Sequence, residues 1–174
     1  MAGILKVDKY QDFNGNDIMT SDGSGNLTLN NAALKNTPAF VLTNSGNQSI
    51  GSASWTKLTF DTESLDTDNA VSSSTFTVPS GEAGTYMFFW GIHGIQGLDA
   101  TEFVQIRIYV NGTGSNFSDN RMTSDATNTE FKFSANFQAV LSAGDTIEAY
   151  VYQNEGASQN VTNAHFSGYK LIGA

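Results

Sequence analysis

The sequence predicts an all-β protein, a sandwich of short strands joined by tight turns, and three observations carry that prediction. The first is residues 131–153, where two alternating runs meet at a turn. Phe131, Phe133, Ala135, Phe137, Ala139 and Leu141 fall on every second position, with Lys132, Ser134, Asn136 and Gln138 between them, which is the period of a half-buried strand. Ser142-Ala-Gly-Asp145 reverses the chain. Ile147, Ala149 and Val151 continue the apolar row, while Glu148, Tyr150 and Tyr152 form a second face that is aromatic rather than plainly solvated. The second observation is composition: 17 Gly against 2 Pro, 12 Phe, and abundant Ser, Thr and Asn are residues that favour the pleated sheet or punctuate it. The third is that no segment reads as an amphipathic helix.

At 174 residues without a cysteine, the chain fits one ordinary domain plus a short appendage, and neither a disulfide nor a thiolate metal site is available. Eight basic against 17 acidic residues give a formal charge of −9, which repels a phosphate backbone, so nucleic acid is excluded as a partner. Met1 to Lys6 lacks the apolar stretch of a signal peptide, and no run approaches the ~20 apolar residues of a spanning helix. Synthesis in a cytoplasm without membrane insertion is expected. The Asn-x-Ser/Thr matches at Asn26, Asn47, Asn111, Asn116 and Asn160 then read as by-products of composition.

In chain order, Ile4 to Phe13 reads as a strand, and Asn14-Gly15 supplies the positive φ angles of a tight turn. Asp17-Ile18-Met19 returns, Asp22-Gly-Ser-Gly25 reverses again, and Asn26 to Asn30 completes a small meander. Its apolar set is Leu5, Val7, Phe13, Ile18, Met19, Leu27 and Leu29. So few residues do not offset the entropy of ordering the segment, so it needs other copies or a docking surface to be stable. Residues 1–37 are therefore an anchor and linker, with one helical turn expected at Ala32 to Lys35. Residues 38–174 form the larger unit. Pro38 opens its first strand, where no ladder donor is needed. Strands follow over Ser52 to Phe60, with Leu58 and Phe60 on one face, and over Ser74 to Val78, with Phe76 and Val78 inward. Tyr86, Phe88, Trp90 and Ile92 form one row of the next strand and Met87 and Phe89 the other, so both of its faces read as covered. Gly81-Glu-Ala-Gly84 and Gly94-Ile-Gln-Gly97 read as turns. Val104, Ile106, Ile108 and Val110 alternate inward, Asn111-Gly112 turns, and Ser115 to Glu130 is polar enough for loop or edge strand.

With these residues in order, the segment from Pro38 onward resembles the globular head domain of complement component 1q. The resemblance is carried by Pro38-Ala-Phe, Leu58-Thr-Phe-Asp61, Phe76-Thr-Val-Pro79, Gly84-Thr-Tyr-Met-Phe, Val110-Asn-Gly, Leu141-Ser-Ala-Gly-Asp, Thr146-Ile-Glu-Ala-Tyr-Val-Tyr-Gln and His165-Phe-Ser-Gly-Tyr-Lys-Leu. It implies a ten-stranded jelly-roll sandwich of the tumour-necrosis-factor type, preceded here by the meander and assembling as a homotrimer. The collagen stalk of that family is absent, since residues 1–37 show no Gly-x-y period. The opening Leu5-Lys-Val-Asp-Lys-Tyr-Gln-Asp12, followed by Gly15-Asn16, is similar to the N-termini of virion proteins from tailed bacteriophages of marine bacteria. Together these imply an anchor followed by a knob.

No catalytic residue is expected. His93 and His165 are the only histidines, and neither lies in a nucleophile, metal or acid/base motif. The head-domain resemblance raises calcium, and Asp99, Glu102, Asp119 and Asp125 lie in or beside loops, but none has the spacing of a calcium loop, so no metal site is assigned. The expected function is a structural virion protein: a homotrimeric knob, short fibre or capsid decoration protein. Residues 1–37 would dock it to other capsid or tail proteins through Leu5, Val7, Phe13, Ile18, Leu27 and Leu29. Fully extended, such an anchor reaches at most ~120 Å, so no long shaft is encoded. Contact with a host surface glycan or protein is assigned to the loops His93 to Thr101, Asn111 to Thr129 and Gln153 to Ala164. The trimer seam is assigned to Phe89, Phe103, Tyr109, Tyr150 and Tyr152, all on rows opposite the sandwich core. A soluble carbohydrate-binding lectin is the alternative, and a glycan-degrading enzyme the third reading.

Overall fold

The computed structural model describes residues 7–30, 36–125 and 129–171. Leu5 and the helical turn expected at 32–35 lie outside these residues. Short strands β1 (Lys9–Gln11), β2 (Asp17–Ser21) and β3 (Leu27–Leu29) form an antiparallel sheet of their own in the order β1-β2-β3. The rest is a sandwich. Its strands are β4 (Ala39–Asn44), β5 (Gln48–Ile50), β6 (Thr56–Lys57), β7 (Thr62–Asp66), β8 (Val71–Ser72), β9 (Thr75–Thr77), β10 (Gly84–Leu98), β11 (Phe103–Val110), β12 (Thr113–Gly114), β13 (Asn120–Thr123), β14 (Thr129–Leu141), β15 (Thr146–Gln153), β16 (Gln159–Val161) and β17 (Asn163–Lys170). One layer is a five-stranded sheet in the order β14-β10-β17-β4-β7. The other is seven-stranded, with the path β12-β11-β15-β9-β8 and with β13 and β6 attached to β11 and β15; β16 and β5 pair separately. Where ten strands were expected, fourteen segments are found from β4 to β17, because short bridging pieces such as β5, β6, β8 and β12 count as strands in their own right.

The core lies between the two layers. The five-stranded sheet contributes Phe40, Tyr86, Phe88, Trp90, Ile92 and Phe166, and the seven-stranded sheet Phe76, Val104, Ile106, Ile108, Ile147, Ala149 and Val151, all buried. Phe40 is the hinge of this packing, stacked on Phe76 at 4.9 Å between centroids and meeting Phe166 edge-on at 4.8 Å. Alternation over β14 holds, with Phe131 and Leu141 buried and Lys132, Ser134, Asn136 and Gln138 exposed.

Two expectations are corrected. Gly94 to Gly97 is not a turn, since β10 runs on to Leu98. The glycines carry φ of 91° and 82° where the register with β14 slips between His93, Ile95 and Leu98, so they make bulges inside a continuing strand. The strand expected over residues 52–60 contracts to β6, because Thr56 and Lys57 alone form a ladder with β15, apart from an isolated bridge between Ser52 and Gln153. Leu58 nevertheless reaches the core, and its amide donates to Ala149 O at 2.8 Å.

Candidate assembly and contact surfaces

The outward side of the five-stranded sheet is built by pairing register. One row across it reads Leu65, Val41, Ser167, Phe89, Asn136, and the next Ala39, Tyr169, Met87, Gln138. Val140 stands beside Thr85 one row further. Phe89 is 38% exposed, Leu65 43% and Val140 81%, and Phe89 stacks on Tyr169 at 6.3 Å. Met87, half-buried, and Phe89, exposed, both expected to be covered, therefore belong to an apolar band that nothing else among the described residues fully covers. Such a band on a soluble protein marks a contact surface.

The outward side of the seven-stranded sheet is a ladder of rings. Phe103 stacks on Tyr152 at 5.5 Å, Tyr109 on Tyr150 at 3.8 Å, and Trp55 bridges them, 5.5 Å from Tyr152 and 6.1 Å from Tyr109. Guanidinium groups cap it, with Arg107 4.6 Å over Trp55 and Arg121 3.6 Å over Phe103. Arg107 is fixed in turn by an ion pair with Asp119, which raises the pKa of the guanidinium further. Burial alone would raise the Glu148 carboxyl, but Lys57 Nζ at 2.7 Å and Thr75 Oγ1 at 2.9 Å donate to it and hold it below its ordinary value. All five residues expected at the seam do point away from the core, yet they divide: Phe89 lies on one sheet, and Phe103, Tyr109, Tyr150 and Tyr152 on the other. One contact face cannot offer all five. The four on the ladder are largely covered by their own neighbours, including Trp55, whose role only the pairing of β6 with β15 makes visible.

Both histidines border one open groove of about 330 Å³ on the five-stranded side, with Thr43, Asn44, Ile92, Asn163 and Ala164. The His165 ring lies over Gly91, where a Cβ would come within 2.5 Å of its Cε1. Burial lowers the His165 pKa, so it is neutral at pH 7. Two of the four loop carboxylates raised for calcium have local partners: Glu102 Oε2 accepts from the Asp99 amide at 2.7 Å, and Asp119 holds Arg107. Among the described residues no three metal-ligating side chains converge. In the expected contact loop at residues 111–129, the 3-10 turn Asn116–Ser118 presents Phe117 with 95% of its surface exposed. The turn is held from below by Ser118, whose buried Oγ accepts from the Ile108 amide at 2.9 Å and donates to Ser115 O at 2.8 Å.

The meander is governed by two copies of one turn. In Asp12-Phe-Asn-Gly-Asn16, Asp12 Oδ1 accepts from the amides of Asn14 and Asn16, and Oδ2 accepts from Asn16 Nδ2. Asp22-Gly-Ser-Gly-Asn26 repeats the arrangement with Ser24 and Asn26. The shared Asp-x-x-Gly-Asn, ten residues apart, was open to inspection in the sequence as an internal repeat. Tyr10 pairs with Met19 and Met19 with Leu29, while Leu27 lies opposite Ser21, so the sheet has one apolar face. Lys9, Thr20 and Thr28 occupy the other. Of the expected docking residues, Leu27 and Leu29 lie on the apolar face, Phe13 sits fully exposed in the first turn, Ile18 stands at the bulge of β2, and Val7 precedes β1.

A five-stranded layer on a larger antiparallel layer, with β10 and β17 central and β4 beside them, is the jelly roll of the complement 1q and tumour-necrosis-factor type. Three solved structures share it. The chain is similar to the globular domain of zebrafish complement 1qA protein at 14% identity, covering 78% of this chain and 98% of that one with a TM-score of 0.57. It is similar to Eiger TNF from S. frugiperda at 13% identity, with 78% and 93% covered and a TM-score of 0.55. It is also similar to vertex protein P5 of phage PRD1, at 13% identity with 79% and 99% covered and a TM-score of 0.53. No family profile matches the sequence, and no curated protein matches it.

Proposed function

We propose that this chain is a non-enzymatic structural protein of a bacteriophage particle, a homotrimeric knob, short fibre or capsid decoration protein. The observation that carries the reading is the apolar band on the five-stranded sheet, with Phe89 and Met87 at its centre. A closed three-fold assembly buries that band in every copy. The likeness to a phage vertex protein supports the setting, and none of the three similar structures is named for an enzyme. The meander docks the trimer to capsid or tail proteins, and the loops present Phe117 outward for contact with a host-surface glycan or protein. Residues 1–30 can be deleted to test docking: the truncated chain should still trimerise but no longer enter particles, as read by proteomics of purified virions. Incorporation at normal copy number would refute the docking role. A lectin needs open ring faces on which sugars stack; on the seven-stranded sheet, neighbouring rings and guanidinium groups lie against the ladder, and this reading ranks second. A glycan array on the isolated chain separates the two.

A further inference from the structure

We infer that the three meanders of one trimer pack their apolar faces together, so that Tyr10, Met19, Leu27 and Leu29 of each copy form the inside of a three-sided stem. The inference rests on the trimer reading and adds the occupant of a face that the described residues of the single chain leave open. A lone three-stranded sheet with strands of three to five residues is stable only when its apolar face is covered. Here the face is open: Tyr10 is 55% and Leu27 58% exposed. The segment is nonetheless closely tied at its turns, where the Asp12 and Asp22 carboxylates accept from six donors.

Chain geometry selects the other copies as that cover. The segment from Asn30 to Pro38 spans at most roughly 28 Å even when extended. It enters the head at β4, whose first residue Ala39 lies in the row Ala39, Tyr169, Met87 of the proposed seam. Three linkers therefore leave from beside the seam, and three meanders are held at about millimolar concentration of one another before any other partner arrives. The faces also sort by polarity. The Lys9–Asp17 ion pair at 2.8 Å and the hydroxyls of Thr20 and Thr28 leave the opposite side suited to water. Strand direction then separates packing from docking. The chain leaves the meander at Asn30, at the same end as the Asp12–Asn16 turn, so Val7 and the Asp22–Asn26 turn lie at the far end. Docking to a particle falls to that far end, and Leu27 and Leu29 are given to the stem.

The chain has no cysteine, so single substitutions report proximity cleanly. In full-length trimers, Met19→Cys should form disulfide-linked pairs on mild oxidation at least about tenfold faster than Thr28→Cys, which lies on the polar face but shares the same effective concentration. As a second measurement on the unmodified chain, amides of β2 and β3 should exchange with deuterium roughly a hundredfold more slowly in the trimer than in a Phe89→Asp monomer. A trimer in which both cysteines link at the same rate and these amides exchange freely would overturn the stem alone. A chain that is monomeric at micromolar concentration would overturn the trimer reading and the stem with it.

Discussion

At the scale of single residues, the sandwich depends on places where a side chain is absent as much as on those where one is buried. Gly168 sits on the inner face of β17, and a Cβ there would come 2.5 Å from Phe88 Cδ1 and 2.9 Å from Phe40 Cε1. Both rings belong to the aromatic core and neither has room to retreat. Gly168→Ala should therefore destabilise the fold by about 1–3 kcal/mol through overpacking, measurable as a lower urea midpoint with an unchanged slope. Lys170, two residues on, is buried and donates to Glu82 Oε2 at 3.1 Å. Glu82→Ala leaves that ammonium without its partner, and a loss of roughly 3 kcal/mol is expected in the same measurement. Neither site was legible in the sequence. Alternation says that position 168 faces inward, but what crowds it comes from β4 and β10, and Glu82 reaches Lys170 from 88 positions away.

At the scale of elements, the two Asp-x-x-Gly-Asn turns give the meander an acid sensitivity that the head does not share through them. The side-chain bond from Asn16, then its amide, lowers the pKa of Asp12 below the usual 3.8, and Asn26 and the Ser24 amide do the same for Asp22. A carboxyl with a depressed folded pKa contributes stability that is fully present above its unfolded value and is lost as pH falls through the folded one. The turns should thus hold unchanged down to about pH 4 and loosen below it, which amide chemical shifts of Asn14, Asn16, Ser24 and Asn26 would follow. Shifts that stay constant to pH 2 would contradict this. Long strands with one polar face were legible: β11, β14 and β15 appear where alternation placed them, and Val104, Ile106, Ile108, Ile147, Ala149 and Val151 are buried as that period requires. Short strands were legible only where turn residues or apolar neighbours marked them, as for β1, β2, β3 and β9; β5, β7 and β16 carry too little pattern to be seen. A period of two also tells inside from outside but not which sheet a residue belongs to. For that reason Phe89 and the tyrosines were placed together, although they stand on opposite layers.

At the scale of the whole molecule, the proposed homotrimer closes through the five-stranded sheet. Each chain carries −9, so long-range charge opposes assembly and burial of the apolar band must outweigh it; raising salt screens the repulsion and should leave the trimer intact or tighter. Met87→Asp with Phe89→Asp would place two carboxylates per copy in that contact, where each is costly to desolvate. The pair lies on the outward face, so the core beneath it is untouched. Tyr152→Ala, on the opposite sheet, should leave the oligomer as it is. The most direct measurement is sedimentation equilibrium of the full chain at micromolar concentration, for the unmodified protein and the Met87/Phe89 double variant. Three times the 18.6 kDa chain mass is expected for the first and a folded monomer for the second; an unmodified chain that sediments as a monomer, or a double variant that remains a trimer, would contradict the proposed assembly.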